Sequence, residues 1–249
     1  MAPSRTHVFL DLDGTLLSSS VFFRIACLTR LYWRLLPLFG PLNAYRYGKK
    51  MFRALLSNSP LSGLTNFERL LHEGERASGK SRAEILARLE YFYSFDFPRM
   101  KKWTWRTPGA HEALAWFESK KLKLAIVTNP IWPLRCVLLR LEWAGLDPAR
   151  FVLITNSEIM HACKPNPQFY HQCLEKLNLE PAQALMVGND KVKDGSAMAA
   201  GIPVILLARE GWMPVAELEL RFNQVNRSGS SIHDNFLSVS DETGRTRNI

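Results

Sequence analysis

The segment best equipped for chemistry is Asp11-Leu12-Asp13-Gly14-Thr15, at the end of a short apolar run over residues 7–12 that reads as a strand. Residues i and i+2 of a strand share a face, so Asp11 and Asp13 project together from its carboxyl end. Two carboxylates so placed repel, and each raises the other's pKa unless a cation sits between them. A hard divalent ion with oxygen ligands resolves that conflict, and Mg²⁺ is the usual choice beside phosphate. Gly14 allows a tight turn directly afterwards. Three more groups fall at strand or loop ends on the same rim: Thr128-Asn129 closes the second apolar run, Lys164 follows the third, and Asp190 with Asp194 follows the fourth. A hydroxyl, an amide, a cation and further acids suit a phosphoryl group held by a metal, a lysine and neutral donors.

The elements that must position these groups alternate in kind. Strands are expected at 7–12, 122–128, 151–155, 184–188 and 203–207, and helices at 109–121, 134–144, 167–177 and, briefly, 195–200. Runs that are apolar on both faces and alternate with helices predict an α/β fold, a Rossmann-like parallel sheet covered on both sides. Ligands of such sheets sit at the carboxyl ends of the strands, where all four groups fall. Residues 16–105 interrupt the rhythm and read as mostly helical, with loops at 57–63 and 74–80. The expected organisation is a core of 1–15 and 106–210, a helical cap inserted over 16–105, and a C-terminal extension, 211–249, that is partly disordered.

In this order and strand context the four groups resemble the motifs of the haloacid dehalogenase superfamily. Asp11-Leu12-Asp13-Gly14-Thr15 is similar to its first motif, Thr128-Asn129 to its second, and Lys164 in Lys164-Pro165-Asn166-Pro167 to its third. Val187-Gly188-Asn189-Asp190, with Asp194 and the run to Ala200-Gly201-Ile202-Pro203, resembles the fourth. The resemblance covers residues 6–15 and 106–208. It implies a Rossmann-like core with a cap of the C1 type, as in members that are phosphoglycolate phosphatase-like or phosphoserine phosphatase-like. It also implies a Mg²⁺-dependent phosphatase. Asp11 would be the nucleophile, and Asp13 the acid that protonates the leaving alcohol and then the base for water. Thr128, Asn129 and Lys164 would hold the phosphoryl group. Asp11, Asp190 and the carbonyl oxygen of Asp13 would bind Mg²⁺, with Asp194 as a further metal-site acid or an orienter of Lys164. The second aspartate is a mark of members that act on phosphate; the dehalogenases generally lack it. One departure is His161-Ala162-Cys163, where a glycine often precedes the lysine; a slightly different loop is expected there.

Other readings of these residues compete. Asp194 could only cap the helix after it. Gly74-Glu75-Arg76-Ala77-Ser78-Gly79-Lys80-Ser81 matches a P-loop literally, but the residues before it read as helix rather than strand, and Ser81 with Glu84 reads as a capping box. The cluster Tyr91, Phe92, Tyr93, Phe95 and Phe97, with Trp103 and Trp105, is expected to build the cap and its packing on the core. His161 and His171 read as loop or helix-surface residues.

The chain of 249 residues has a net charge of +9, which favours anionic partners without choosing among them. From Gly14 to Phe67 there is no Asp or Glu, while Arg24, Arg30, Arg34, Arg46, Lys49, Lys50 and Arg53 are present. This basic stretch reads as a solvated helical face, a lid over an anionic substrate, or a surface touching acidic lipid. There is no recognisable nucleic-acid module. The four cysteines lack CxxC spacing and are expected to be reduced and buried. No secretory signal or membrane span is apparent, so a cytoplasmic location is expected. The expected activity is hydrolysis of a small phosphorylated metabolite. Alternatives are a phosphomutase on the same core and a non-catalytic binding protein.

Overall fold

The computed structural model describes residues 5–56, 63–208 and 211–228. Its elements run β1 (His7–Leu10), β2 (Leu17–Ser19), α1 (Val21–Phe39), α2 (Pro41–Leu56), α3 (Asn66–Ser78), α4 (Arg82–Tyr91) and β3 (Thr104–Arg106). They continue with α5 (Ala110–Ser119), β4 (Lys123–Ile126), α6 (Leu134–Trp143), β5 (Phe151–Ile154), α7 (Pro167–Leu177), β6 (Ala184–Gly188), β7 (Val204–Leu206) and α8 (Val215–Ser228). Five strands form one parallel sheet in the order β5-β4-β1-β6-β7. The fold is therefore the α/β class expected.

Alternation along the central strands divides the core. Val8 and Leu10 face one side of the sheet with Leu124, Ile126, Leu185 and Val187, against α5, α6 and α8. Phe9 faces the other with Ala125, Val127 and Met186, against α7 and the 3-10 turn Gly195–Ala200. Strands buried on both faces carry no polar row, which is why these runs read as continuously apolar.

The helices α1 to α4 lie between β2 and β3. Those strands form an antiparallel ribbon, Leu17 opposite Arg106 and Ser19 opposite Thr104, that brings the two ends of the inserted segment side by side. The sequence reading did not anticipate this ribbon; three-residue strands are too short to show a period. Aromatic rings from the segment stack on the core side: Phe92 on Trp132 with centroids 6.2 Å apart, and Phe97 on Trp143 at 5.4 Å. Each such burial contributes about 1.5–3 kcal/mol. Phe92 and Phe97 thus do what was expected of the cluster, whereas Trp105 is a correction. It sits in the ribbon and is half exposed, together with Tyr91 and Phe95.

The loop expected at 74–80 is likewise corrected. Helix α3 continues to Ser78, and Gly79 ends it in a left-handed conformation. Ser81 then opens α4 with the expected capping box to Glu84. The P-loop match is thus a helix–turn–helix. Most of the loop at 57–63 lies outside the described residues, as does 229–249. Helix α8, unanticipated, packs Phe222 against Trp116 at 5.4 Å. No helix among the described residues is long and apolar enough to cross a membrane.

Candidate active site

The seven residues expected to form the site line one cavity of about 840 Å³ at the carboxyl edge of the sheet: Asp11, Asp13, Thr128, Asn129, Lys164, Asp190 and Asp194. Parallel pairing puts the ends of β1, β4 and β6 on one rim. The Asp11 amide donates to Val187 O at 3.0 Å, and the Val127 amide to Leu10 O at 2.7 Å. The chain turns sharply at Gly14, whose φ of +85° is open to glycine. A Cβ there would also strike the Asn189 side chain.

Lys164 is the centre of the floor. Its side chain is only 1% exposed. Its Nζ donates to Asp11 Oδ1 at 2.9 Å and to Asp194 Oδ1 at 2.6 Å. Burial works against the ammonium, but Asp11 and Asp194 outweigh it and hold the Lys164 pKa well above the usual lysine range. For Asp11 it is burial that wins. Burial pushes its carboxyl up to about 7; Lys164 opposes the rise, and Asp194 and Asp13 add to it. One ammonium thus faces more acid than it can neutralise.

Asp194 makes no capping bond to the turn after it. Its Oδ2 accepts from the amides of Asn189 and Asp190, both at 2.9 Å, while Oδ1 holds Lys164. The capping-only reading is thereby excluded. Gly188 makes room for this carboxylate, since a Cβ at that position would collide with it. Asp190 Oδ1 accepts from the amides of Val192 and Lys193, at 3.0 and 2.9 Å. Burial alone would raise the Asp190 pKa, but these bonds and the Lys193 ammonium outweigh it and lower it. Asn129 Oδ1 accepts from the Lys164 amide at 3.1 Å, and Thr128 O from the Thr155 hydroxyl at 2.7 Å.

Several contributors were missed. Arg140, fully buried on α6, donates to Asp13 Oδ2 and, from Nε, to Cys136 O at 3.2 Å. It fixes the side chain of Asp13, which is otherwise half exposed. Nothing local in the sequence marks an arginine inside an apolar helix face as the partner of an acid 127 residues away. Buried Asn66 donates from Nδ2 to Pro130 O and Ala162 O, both at 3.2 Å. Arg69 donates to His161 O at 2.7 Å. The start of α3 therefore grips the loops that carry Asn129 and Lys164, and the segment at His161-Ala162-Cys163 is held by those contacts. The Thr65-to-Glu68 capping box signals the helix start, though not the buried amide. His161 and His171 are exposed, and all four cysteines are free and buried.

The donor set can be tested against the implied Mg²⁺. Among the described residues, no three His, Cys, Asp or Glu side chains converge as a ready-made cage. A set of two carboxylates and a main-chain carbonyl needs no third acidic side chain. Burial, with Asp194 and Asp13 adding to it, pushes the Asp11 carboxyl up to about 7 beside a single ammonium, and a divalent cation relieves that condition. The residues fit the ion.

The family model of the haloacid dehalogenase-like hydrolases matches residues 6–201. The chain belongs to that family. It is 32% identical over 143 residues to a phosphoglycolate phosphatase of Rhodospirillum rubrum, covering 55% of this chain and 52% of that protein. It is 34% identical over 95 residues to a phosphorylated carbohydrates phosphatase of Thermotoga maritima, covering 38% of this chain and 43% of that protein. The aligned stretches thus span about half the length of these curated relatives, or less. A solved 2-haloacid dehalogenase of Pseudomonas syringae pv. Tomato DC3000 superposes with a TM-score of 0.58 at 18% identity, over 88% of this chain and 99% of that one. At that identity the likeness speaks for the fold alone.

Proposed function

We propose that this chain is a Mg²⁺-dependent phosphomonoesterase that works through an aspartyl-phosphate on Asp11. The observation that carries the reading is the cavity floor: a buried carboxylate, a buried ammonium bonded to it, and a half-exposed second carboxylate two residues on. The names of the curated relatives support the same reaction class.

An Asp11 carboxylate oxygen attacks phosphorus in line, and the ester oxygen leaves with a proton from Asp13. Arg140 keeps Asp13 aimed at that oxygen. Asp13, now a carboxylate, takes a proton from water as the water oxygen attacks the aspartyl-phosphate. Phosphate departs, Asp11 is a carboxylate again, and Asp13 is reprotonated. Lys164 holds Asp11 in place and offsets negative charge on the phosphoryl oxygens, while Asp194 fixes Lys164. Thr128 and Asn129 supply neutral donors. Asp11, Asp190 and the Asp13 carbonyl oxygen would hold Mg²⁺, which supplies the positive charge that lets a carboxylate approach a phosphate dianion. Residues 16–105 act as a cap that closes over the floor and excludes water.

The test is release of inorganic phosphate from p-nitrophenyl phosphate, with Mg²⁺ or EDTA, by the wild type and Asp11→Asn. Release that needs Mg²⁺ and is lost in the variant supports the reading. Release that survives Asp11→Asn undiminished refutes it.

A further inference from the structure

The floor of the cavity is polar, and most of its wall is apolar. Above the carboxylates the lining comes from the inserted helices: Leu31 and Leu35 of α1, Met51 and Leu55 of α2, Leu70 of α3 and Leu89 of α4. Leu35, Met51, Leu55 and Leu89 are each at most 3% exposed. Ile131 and Trp132 continue this lining on the core side. A site built for glycolate or a sugar would need donors and acceptors for carboxylate or hydroxyl oxygens, because a polar group moved out of water without partners costs several kcal/mol. Leucine and methionine side chains offer none, and on the inserted segment they outnumber the polar groups that share the lining, Ser19, Arg24 and Tyr93. The cavity opens where Leu28 and Phe52, also lining residues, are 68% and 46% exposed.

Resting on the phosphomonoesterase reading, we infer that the preferred substrate is a phosphate monoester of an apolar chain, its phosphate on Asp11 and Lys164 and its hydrocarbon between α1 and α2. The test is a series of n-alkyl phosphates from ethyl to decyl, each below its critical micelle concentration, with phosphoglycolate and p-nitrophenyl phosphate alongside. The specificity constant kcat/KM should rise about fourfold per added methylene until the cavity is full, the gain expected for moving CH₂ from water into an apolar lining. Leu31→Gln should flatten that rise, read as the octyl-to-ethyl ratio, which general loss of fold would not alter. A flat series, or preference for phosphoglycolate, while p-nitrophenyl phosphate is still hydrolysed, overturns this inference alone. No release from any ester overturns the phosphatase reading beneath it.

A second inference rests on the outer surface. On α2 the exposed residues Leu42, Tyr45, Arg46, Lys49, Phe52 and Arg53 recur at spacings of three and four, so aromatic and basic groups share one arc. Leu42 is 86% exposed. On α1, Phe22, Ile25, Leu28 and Trp33 are also exposed. No acid occurs from Gly14 to Phe67, so the arc complements a continuous negative surface. We propose that it rests on an anionic lipid bilayer, rings in the headgroup region and basic groups on the phosphates. In vesicle flotation the protein should rise with phosphatidylglycerol vesicles and not with phosphatidylcholine. Arg46→Glu/Lys49→Glu should weaken that binding about tenfold or more. Failure to rise with phosphatidylglycerol, or equal binding to both vesicles, overturns the proposal.

Discussion

Two buried ion clusters in this molecule are built from the same parts with opposite sign. In the core, one ammonium, Lys164, lies between two acids, Asp11 and Asp194. In the inserted helices, one acid, Asp96, lies between two guanidinium groups, Arg30 and Arg34. Asp96 is fully buried, while its arginines are 37% and 32% exposed and keep much of their hydration. Burial alone would raise the Asp96 pKa, but the arginines outweigh it and lower it. The cluster is complete as it stands. The core cluster is not, because both acids are enclosed with a single cation, and Asp11 is driven up to about 7. The two clusters therefore differ both in the sign of the uncompensated charge and in how far it is enclosed. The enclosed excess of acid is what supports the proposed cation site.

Breaking the core cluster should have the larger effect. Lys164→Met leaves two acids buried without their cation. It should cost about 3–5 kcal/mol of stability, measured by denaturant unfolding. It should also lower phosphate release about a thousandfold. Gly188→Ala sharpens the point without removing a charge. The added methyl displaces the Asp194 carboxylate, so Lys164 loses its second anchor, and kcat should fall about ten- to a hundredfold in a folded protein.

Breaking the cluster in the inserted helices should affect stability first. Asp96→Asn should cost about 1–3 kcal/mol, since the arginines it leaves are partly solvated. The sign of its pH dependence follows from the lowered pKa. The Asp96 contribution is complete above the unfolded carboxyl pKa of about 3.9. It is lost as pH falls through the lower folded value. The stability gap between wild type and Asp96→Asn, measured by unfolding across pH, should therefore be constant near neutrality and close in acid. Smallest of all, Lys80→Ala should leave phosphate release unchanged and shift stability by less than about 0.5 kcal/mol, because Lys80 sits in a solvated turn between α3 and α4.

The same contrast marks how far the sequence could be read. The groups on the rim were legible because each ends or follows a strand of the parallel sheet, and local pattern both finds such strands and fixes which end carries the chemistry. β6 and α7 begin and end where the pattern placed them, at Ala184–Gly188 and Pro167–Leu177. Arg140, Asn66 and Arg69 were not legible, since each acts across a long stretch of chain on a partner that no local period connects to it. The apolar walls were hidden for a different reason. Leu31, Leu35, Met51 and Leu55 follow helical spacing, and a stripe of that kind is the same whether it faces a neighbouring helix or an open cavity. Charge told more than hydrophobicity in the inserted segment: the missing acids were visible, while the buried partner of Arg30 and Arg34 lay beyond the stretch, at Asp96.

The roles assigned to Asp11 and Asp13 separate most directly in a single experiment. Asp13→Asn retains an acceptor for Arg140 but can no longer deprotonate water, and p-nitrophenolate leaves without an acid's help. With p-nitrophenyl phosphate and Mg²⁺, this variant should release one equivalent of nitrophenol in a burst and then stall. Acid quenching and peptide mapping should find the phosphoryl group on Asp11. Steady turnover without a burst, or a phosphoryl group on any other residue, would contradict the account.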